Sequence, residues 1–70
     1  MAKMVEVTSS NVEAIGYDEG LRELAVRFKS GGTYVYHDVP KSVFDDFLES
    51  ESKGRFIANE IKNQYDFTKR

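Results

Sequence analysis

The chain has 70 residues, enough for one domain and too few for a second. It has no cysteine and one histidine, His37, which excludes disulfides, thiolate metal sites and any multi-histidine metal centre within one chain. Ten basic side chains against twelve acidic ones give a net charge of −2, which excludes a generic polyanion binder, because non-specific nucleic-acid affinity needs an excess of basic residues.

Residues 1–4 read as a loose end, and an edge strand is expected within Met4-Val5-Glu6-Val7. Thr8-Ser9-Ser10-Asn11 gathers side chains that hydrogen-bond their own backbone, which predicts a turn. Val12 to Tyr17 is the next predicted strand. Its apolar residues fall at 12, 14, 15 and 17, so the alternation slips between Ala14 and Ile15 and predicts a β-bulge there, eased by Gly16. Asp18-Glu19-Gly20 is a turn. Leu21 to Lys29 then alternates cleanly, with Leu24, Val26 and Phe28 on one face and Glu23, Ala25, Arg27 and Lys29 on the other. Ser30-Gly31-Gly32 predicts a hairpin. Thr33 to Val39 returns, with Tyr34 and Tyr36 on one face and Val35, His37 and Val39 on the other.

Pro40 suits the first position of a helix, since its fixed φ and missing N–H cost nothing there. Val43, Phe44, Phe47 and Leu48 form a helical apolar stripe, and Asp45 and Asp46 are expected near the positive end of the helix dipole. Ser50-Glu51-Ser52 breaks the helix, and Ser52 is the expected N-cap of a second one from about Lys53 to about Tyr65. Phe56, Ile57, Ile61 and Tyr65 make its stripe, while Gly54 in its first turn lets another backbone or a ligand approach closely. Asp66 to Arg70 is expected to fray, with Phe67 able to tuck in. The predicted fold is one α+β domain over residues 1–70, with an ordered core of about 5–65. It is an antiparallel meander of three to four strands followed by two short helices packed on one face. A small SH3-like or Sm-like barrel with C-terminal helices is the alternative.

The start, Met1-Ala2-Lys3-Met4, lacks the apolar core of a secretory signal, and no apolar run approaches the roughly 20 residues of a membrane span. The expectation is therefore a cytoplasmic protein without a membrane partner. So small a chain self-buries thinly, which makes a homodimer a reasonable expectation.

The residues offer little chemistry of their own. There is no thiol nucleophile, His37 is the single imidazole, and the serines sit in cap and turn contexts. Asp45 and Asp46 are adjacent, so a helix points them about 100° apart and they form no dyad. Gly31-Gly32 lacks the spacing of a phosphate loop. No catalytic residue, metal ligand or cofactor is assigned. Three features remain as binding candidates. Tyr34 and Tyr36 share a strand face and could stack on bases, or pack under the helices with their hydroxyls at the rim. Ser52-Lys53-Gly54-Arg55 opens a helix with a hydroxyl and two cations, which suits an anion or an ordinary N-cap. The charge is also segregated: residues 38–51 carry net −4 and residues 53–70 net +3.

The order Val7-x-x-Ser10, Ile15-Gly16-Tyr17-Asp18, Leu24-x-Val26-x-Phe28, Gly32-x-Tyr34-Val35-Tyr36, Val39-Pro40 and Ser52-Lys53-Gly54-x-Phe56 resembles the KTSC domain. That family is named for its occurrence at the C-terminus of some lysyl-tRNA synthetases, and it also occurs as a small free-standing protein in bacteria and their viruses. The resemblance spans about Val5 to Tyr65, with Tyr34-x-Tyr36 matching the family's hallmark. It implies no catalytic residues and no cofactor, and it carries a suggested but unestablished RNA-binding role. Two functions follow as expectations. One is a non-catalytic module for single-stranded RNA or a nucleotide, using Tyr34, Tyr36, Ser52, Lys53, Gly54 and Arg55. The other is a protein-interaction module of a bacterial or phage accessory protein, using a strand edge and the acidic helix around Asp45, Asp46 and Glu49.

Overall fold

The computed structural model describes residues 3–70; residues 1 and 2 of the expected loose end lie outside the described residues. Five strands form one antiparallel sheet in the order β1-β2-β3-β4-β5. They are β1 (Lys3–Glu6), β2 (Val12–Asp18), β3 (Glu23–Phe28), β4 (Gly32–Tyr36) and β5 (Phe67–Lys69). Two helices, α1 (Lys41–Glu49) and α2 (Lys53–Phe56), lie between β4 and β5, and α2 runs on into a π-helical turn, Ile57–Ile61. The α+β meander with helices on one face is thus present, extended by a fifth strand. The sheet order ends on two edges, β1 and β5, so the sheet is open rather than a closed barrel.

The turns form where their residues allow. Ser9 Oγ accepts from the amides of Asn11 and Val12, both at 3.3 Å, and holds the β1–β2 loop. Gly31 adopts φ +106° in the β3–β4 hairpin, a conformation that a side chain would strain. The bulge in β2 falls between Val12 and Ala14, at Glu13, earlier than the apolar pattern suggested. An alternation slip reports only that parity changes, and the extra residue can sit on the polar side of it. Arg22 and Asp38 both take left-handed φ, 54° and 57°, at the facing ends of β3 and β4. The Val39 amide donates to the Arg22 carbonyl there at 2.9 Å, so the turn out of β4 is tied to the turn into β3.

Pro40 proves to be the N-cap of α1 rather than its first residue, and its carbonyl accepts from the amides of Val43 and Phe44. Asp45 and Asp46 lie beyond the first turn, so they miss the dipole; Asp45 instead pairs with Lys41 one turn back at 3.3 Å. Ser52 caps α2 as expected, accepting from the Arg55 amide at 3.3 Å.

The core lies between the sheet and the helices. Val12, Ile15, Leu24, Val26 and Tyr36 from the sheet meet Phe47, Ile57 and Ile61 from the helical segment. Phe47 is fully buried and stacks on Phe56 with ring centroids 5.2 Å apart. Tyr17 stacks on Phe44, and its hydroxyl donates to the Val39 carbonyl, pinning α1 to β2. On the opposite sheet face, Gly16, Ala25 and Val35 stand side by side across β2, β3 and β4, all buried. No helix of the described residues is long and apolar enough to cross a membrane.

Candidate functional site

Tyr34 and Tyr36 point to the same face of β4, but burial separates them. Tyr36 is 3% exposed and belongs to the core, where burial, with the neighbouring Tyr34 second, pushes its phenol above the ordinary 10.0. Tyr36 therefore offers no stacking platform, because the helices lie over its face. Tyr34 is half-buried at the open end of the same face. Its ring meets Phe28 edge-on at 5.4 Å and Phe67 at 5.2 Å, and the Lys69 ammonium lies 5.8 Å from its centroid. The Tyr34 ring is already well packed, and its surroundings leave mainly its rim to a ligand.

The exposed ring is that of Phe67, 51% exposed on β5. Phe67 stands opposite Tyr36 across the β4–β5 pair, its ring 5.7 Å from that of Tyr36. These aromatics form one wall of a groove of about 390 Å³. The other wall is helical: Gly54 from α2, with Ile57, Ala58 and Lys62 from and just after the π-turn. The π-turn is marked by the Lys62 amide donating to the Ile57 carbonyl at 2.8 Å. Such turns are uncommon and recur at functional sites. Sequence reasoning missed it, because one wide turn hardly alters an apolar period. It also missed Phe67 and Lys69, which read as a frayed end.

The Ser52-Lys53-Gly54-Arg55 segment does not join that groove as a unit. Ser52, Lys53 and Arg55 border a separate polar recess with Thr8, Ser9, Ser10 and Asn11, and only Gly54 lines both. Lys53 is committed elsewhere. Its ammonium donates to the carbonyls of Ser50 (2.6 Å) and Leu48 (3.1 Å), where it satisfies the C-terminal end of α1. An anion would have to compete with those carbonyls. Arg55 is exposed on the far side of α2 from the groove, beside Asn59 and Glu60.

His37 turns out to be a tie. Its Nδ1 lies 3.1 Å from Glu23 Oε2 on β3, and its Nε2 lies 2.8 Å from Thr68 Oγ1 on β5. A carboxylate has no donor, so Nδ1 carries the proton, and in the neutral ring Nε2 accepts from the Thr68 hydroxyl. The imidazole, one residue past the end of β4, thereby links β3 to β5 on the face away from the helices and fixes β5, hence Phe67 and Lys69, against the sheet. No group of three or more His, Cys, Asp or Glu side chains among the described residues could hold a metal ion.

The comparisons agree with this architecture. The KTSC domain model matches residues 8–65. A protein of Tsukamurella paurometabola is 48% identical over 62 residues, which cover 89% of this chain and 92% of that protein. A lysine–tRNA ligase of Nostoc punctiforme is 30% identical over 64 residues, 91% of this chain but 11% of the ligase. The crystal structure of a KTSC domain protein from Yersinia pestis superposes with a TM-score of 0.96 at 36% identity, over 100% of this chain and 99% of that one. With a family model spanning β2 to β4, the helices and the Tyr34-x-Tyr36 pair alike, the chain belongs to the KTSC domain family.

Proposed function

We propose that the domain is a non-catalytic binding module for single-stranded RNA or a nucleotide, held in the groove between β5 and the π-turn. The observation that carries this reading is an open aromatic groove with an exposed Phe67 ring and the cations Lys62 and Lys69 beside it. Base stacking on an aromatic ring tolerates any base, and flanking cations hold the phosphates. Local charge supports it, since residues 53–70 carry net +3 within a chain of net −2. A relative named for its tRNA substrate adds to that support. Compared with the expectation from sequence, the stacking residue is Phe67 with the rim of Tyr34, and the phosphate contacts are Lys62 and Lys69 rather than Lys53.

The test is an NMR titration at low salt with a nucleotide and with short single-stranded RNA. Shifts should concentrate at Phe67, Tyr34, Ala58 and Lys62. Phe67→Ala should weaken binding by about 1–3 kcal/mol, the value of one base–aromatic stack. Affinity should fall with salt at a slope near −0.7 per phosphate held. No shift at low salt would end the proposal.

A second reading, a protein-interaction module, rests on α1. Leu48 is 40% exposed among Asp45, Asp46 and Glu49, an apolar spot in an acidic surface. Affinity capture that loses its partner on Leu48→Glu but not on Phe67→Ala would favour it over the first.

A further inference from the structure

The polarity of the β5 main chain can be read from its bonds to β4. The His37 amide donates to the Asp66 carbonyl at 2.9 Å, and the Arg70 amide donates to the Thr33 carbonyl at 2.7 Å. Thr68 stands opposite Val35 between them. In an antiparallel pair, successive residues turn their N–H and C=O alternately toward the partner and away from it. Residues 66, 68 and 70 therefore face β4, and Phe67 and Lys69 face outward. The sheet order ends at β5, so that edge is open. The Phe67 carbonyl and the Lys69 amide follow one another along it, an acceptor and then a donor.

The side chains of the same two residues lie on the groove's face of the sheet, and Phe67 lines the groove itself. Phe67 presents its exposed ring, and Lys69 its ammonium near Tyr34. One short stretch thus combines an aromatic surface, a cation and an in-plane acceptor–donor pair. An unpaired nucleobase is complementary on every count. It has an apolar ring face, a hydrogen-bonding edge with a donor next to an acceptor, and a phosphate one sugar away.

We propose that the open edge of β5 pairs with the Watson–Crick edge of one unpaired base. The Phe67 carbonyl accepts from the base, the Lys69 amide donates to it, and the Lys62 and Lys69 side chains hold the adjoining phosphates. This rests on the nucleic-acid reading of the groove and adds the recognised feature: a free base edge. Each of the four bases offers a donor beside an acceptor, so the contact distinguishes single strand from duplex and not one base from another. Strand addition by a peptide is the other use of an open edge. β5 has three residues, of which two face outward, and short edge strands resist such pairing. A base needs only one acceptor and one donor.

The experiment uses the whole chain, whose 70 residues are within reach of chemical synthesis, with an ester in place of the Lys69 amide. The ester deletes one outward N–H and leaves every side chain in place; it also makes the Thr68 carbonyl a weaker acceptor toward β4, which the abasic strand controls for. The probes are a short oligoadenylate, the same strand in a duplex, and an abasic strand with the same number of phosphates. The unmodified chain should prefer the single strand over the duplex and the abasic strand by about tenfold. The ester chain should lose most of that preference and keep its abasic affinity. The Lys69 amide resonance should move downfield with the base-bearing strand only. Full preference in the ester chain overturns the proposal. So does a Lys69 amide that stays still while the Phe67 and Tyr34 ring signals move, a result that leaves the groove reading standing. If no probe shifts any signal, the groove reading fails and the edge pairing with it. Protection of the Phe67 and Lys69 amides by an acidic peptide, or by a second copy on raising concentration, and not by RNA, overturns it in favour of that occupant.

Discussion

At the scale of single residues, the two tyrosines of the Tyr34-x-Tyr36 pair do different work, although period-2 alternation gives them one face. Tyr36 lies under the helices and Tyr34 at their open end, a difference set by helix placement that no strand pattern contains. The pattern did carry the shared face, the Gly31 turn and the Ser52 cap, because each rests on local stereochemistry. The burial of Tyr36 has a pH consequence. Its phenol is raised above the ordinary 10.0, so the unfolded chain loses that proton first. The stabilising effect is fully present below about pH 10 and is lost as pH rises through the higher folded value. Thermal melts should thus be level toward neutral pH and fall above about pH 10. Tyr36→Phe, which cannot ionise, should make that alkaline fall shallower; an unchanged fall would assign it to other groups.

At the scale of elements, β5 is the part the sequence concealed. Phe67-Thr68-Lys69 is too short to show alternation, and it pairs with β4 across the whole helical segment. His37 was legible as a strand residue on the face away from the tyrosines, but its partner Thr68 could not be, since that contact exists only once β5 is in place. The π-turn was hidden for a similar reason: Ile57 and Ile61 fit an ordinary helical stripe. The tie makes a local prediction. Thr68→Val keeps the branched shape and removes the hydroxyl, at about 0.5–1.5 kcal/mol for one hydrogen bond, toward the low end on an exposed strand. Hydrogen exchange should quicken at the His37 and Arg70 amides, which bond across β4–β5, while the amides of Leu24 and Val26 keep their rates. Equal acceleration everywhere would mean that the hydroxyl supports the whole fold instead of this strand.

For the whole molecule, size governs the margin. A chain of 70 residues buries only about 60% of its unfolded surface, so total stability belongs at the low end of roughly 5–15 kcal/mol. Phe47 is fully buried and stacked on Phe56, and it joins α1 to both the sheet and the second helical segment. Phe47→Ala should cost about 3–5 kcal/mol, most of the available stability. The expected result is loss of a cooperative melt near room temperature; a melt displaced by only a few degrees would show that neighbouring rings refill the site. The charge segregation read from sequence also acts at this scale. Asp45, Asp46 and Glu49 lie on α1 while Lys69 and Arg70 lie at β5, so net charge is a poor guide to what either surface attracts.

The order of the strands also bears on time. β1 to β4 pair with their immediate chain neighbours, so those contacts are local and can form quickly. β5 must wait until the intervening helices have packed, because its partner is reached only by closing the loop from Tyr36 to Phe67. It is therefore expected to be the last strand to arrive and, with three exposed residues, the cheapest to release. Each release takes Phe67 out of one wall of the groove without unfolding the rest. A ligand that needs Phe67 and Lys69 thus binds a subpopulation and lengthens its lifetime, so occupancy should be readable as slower opening of β5 alone.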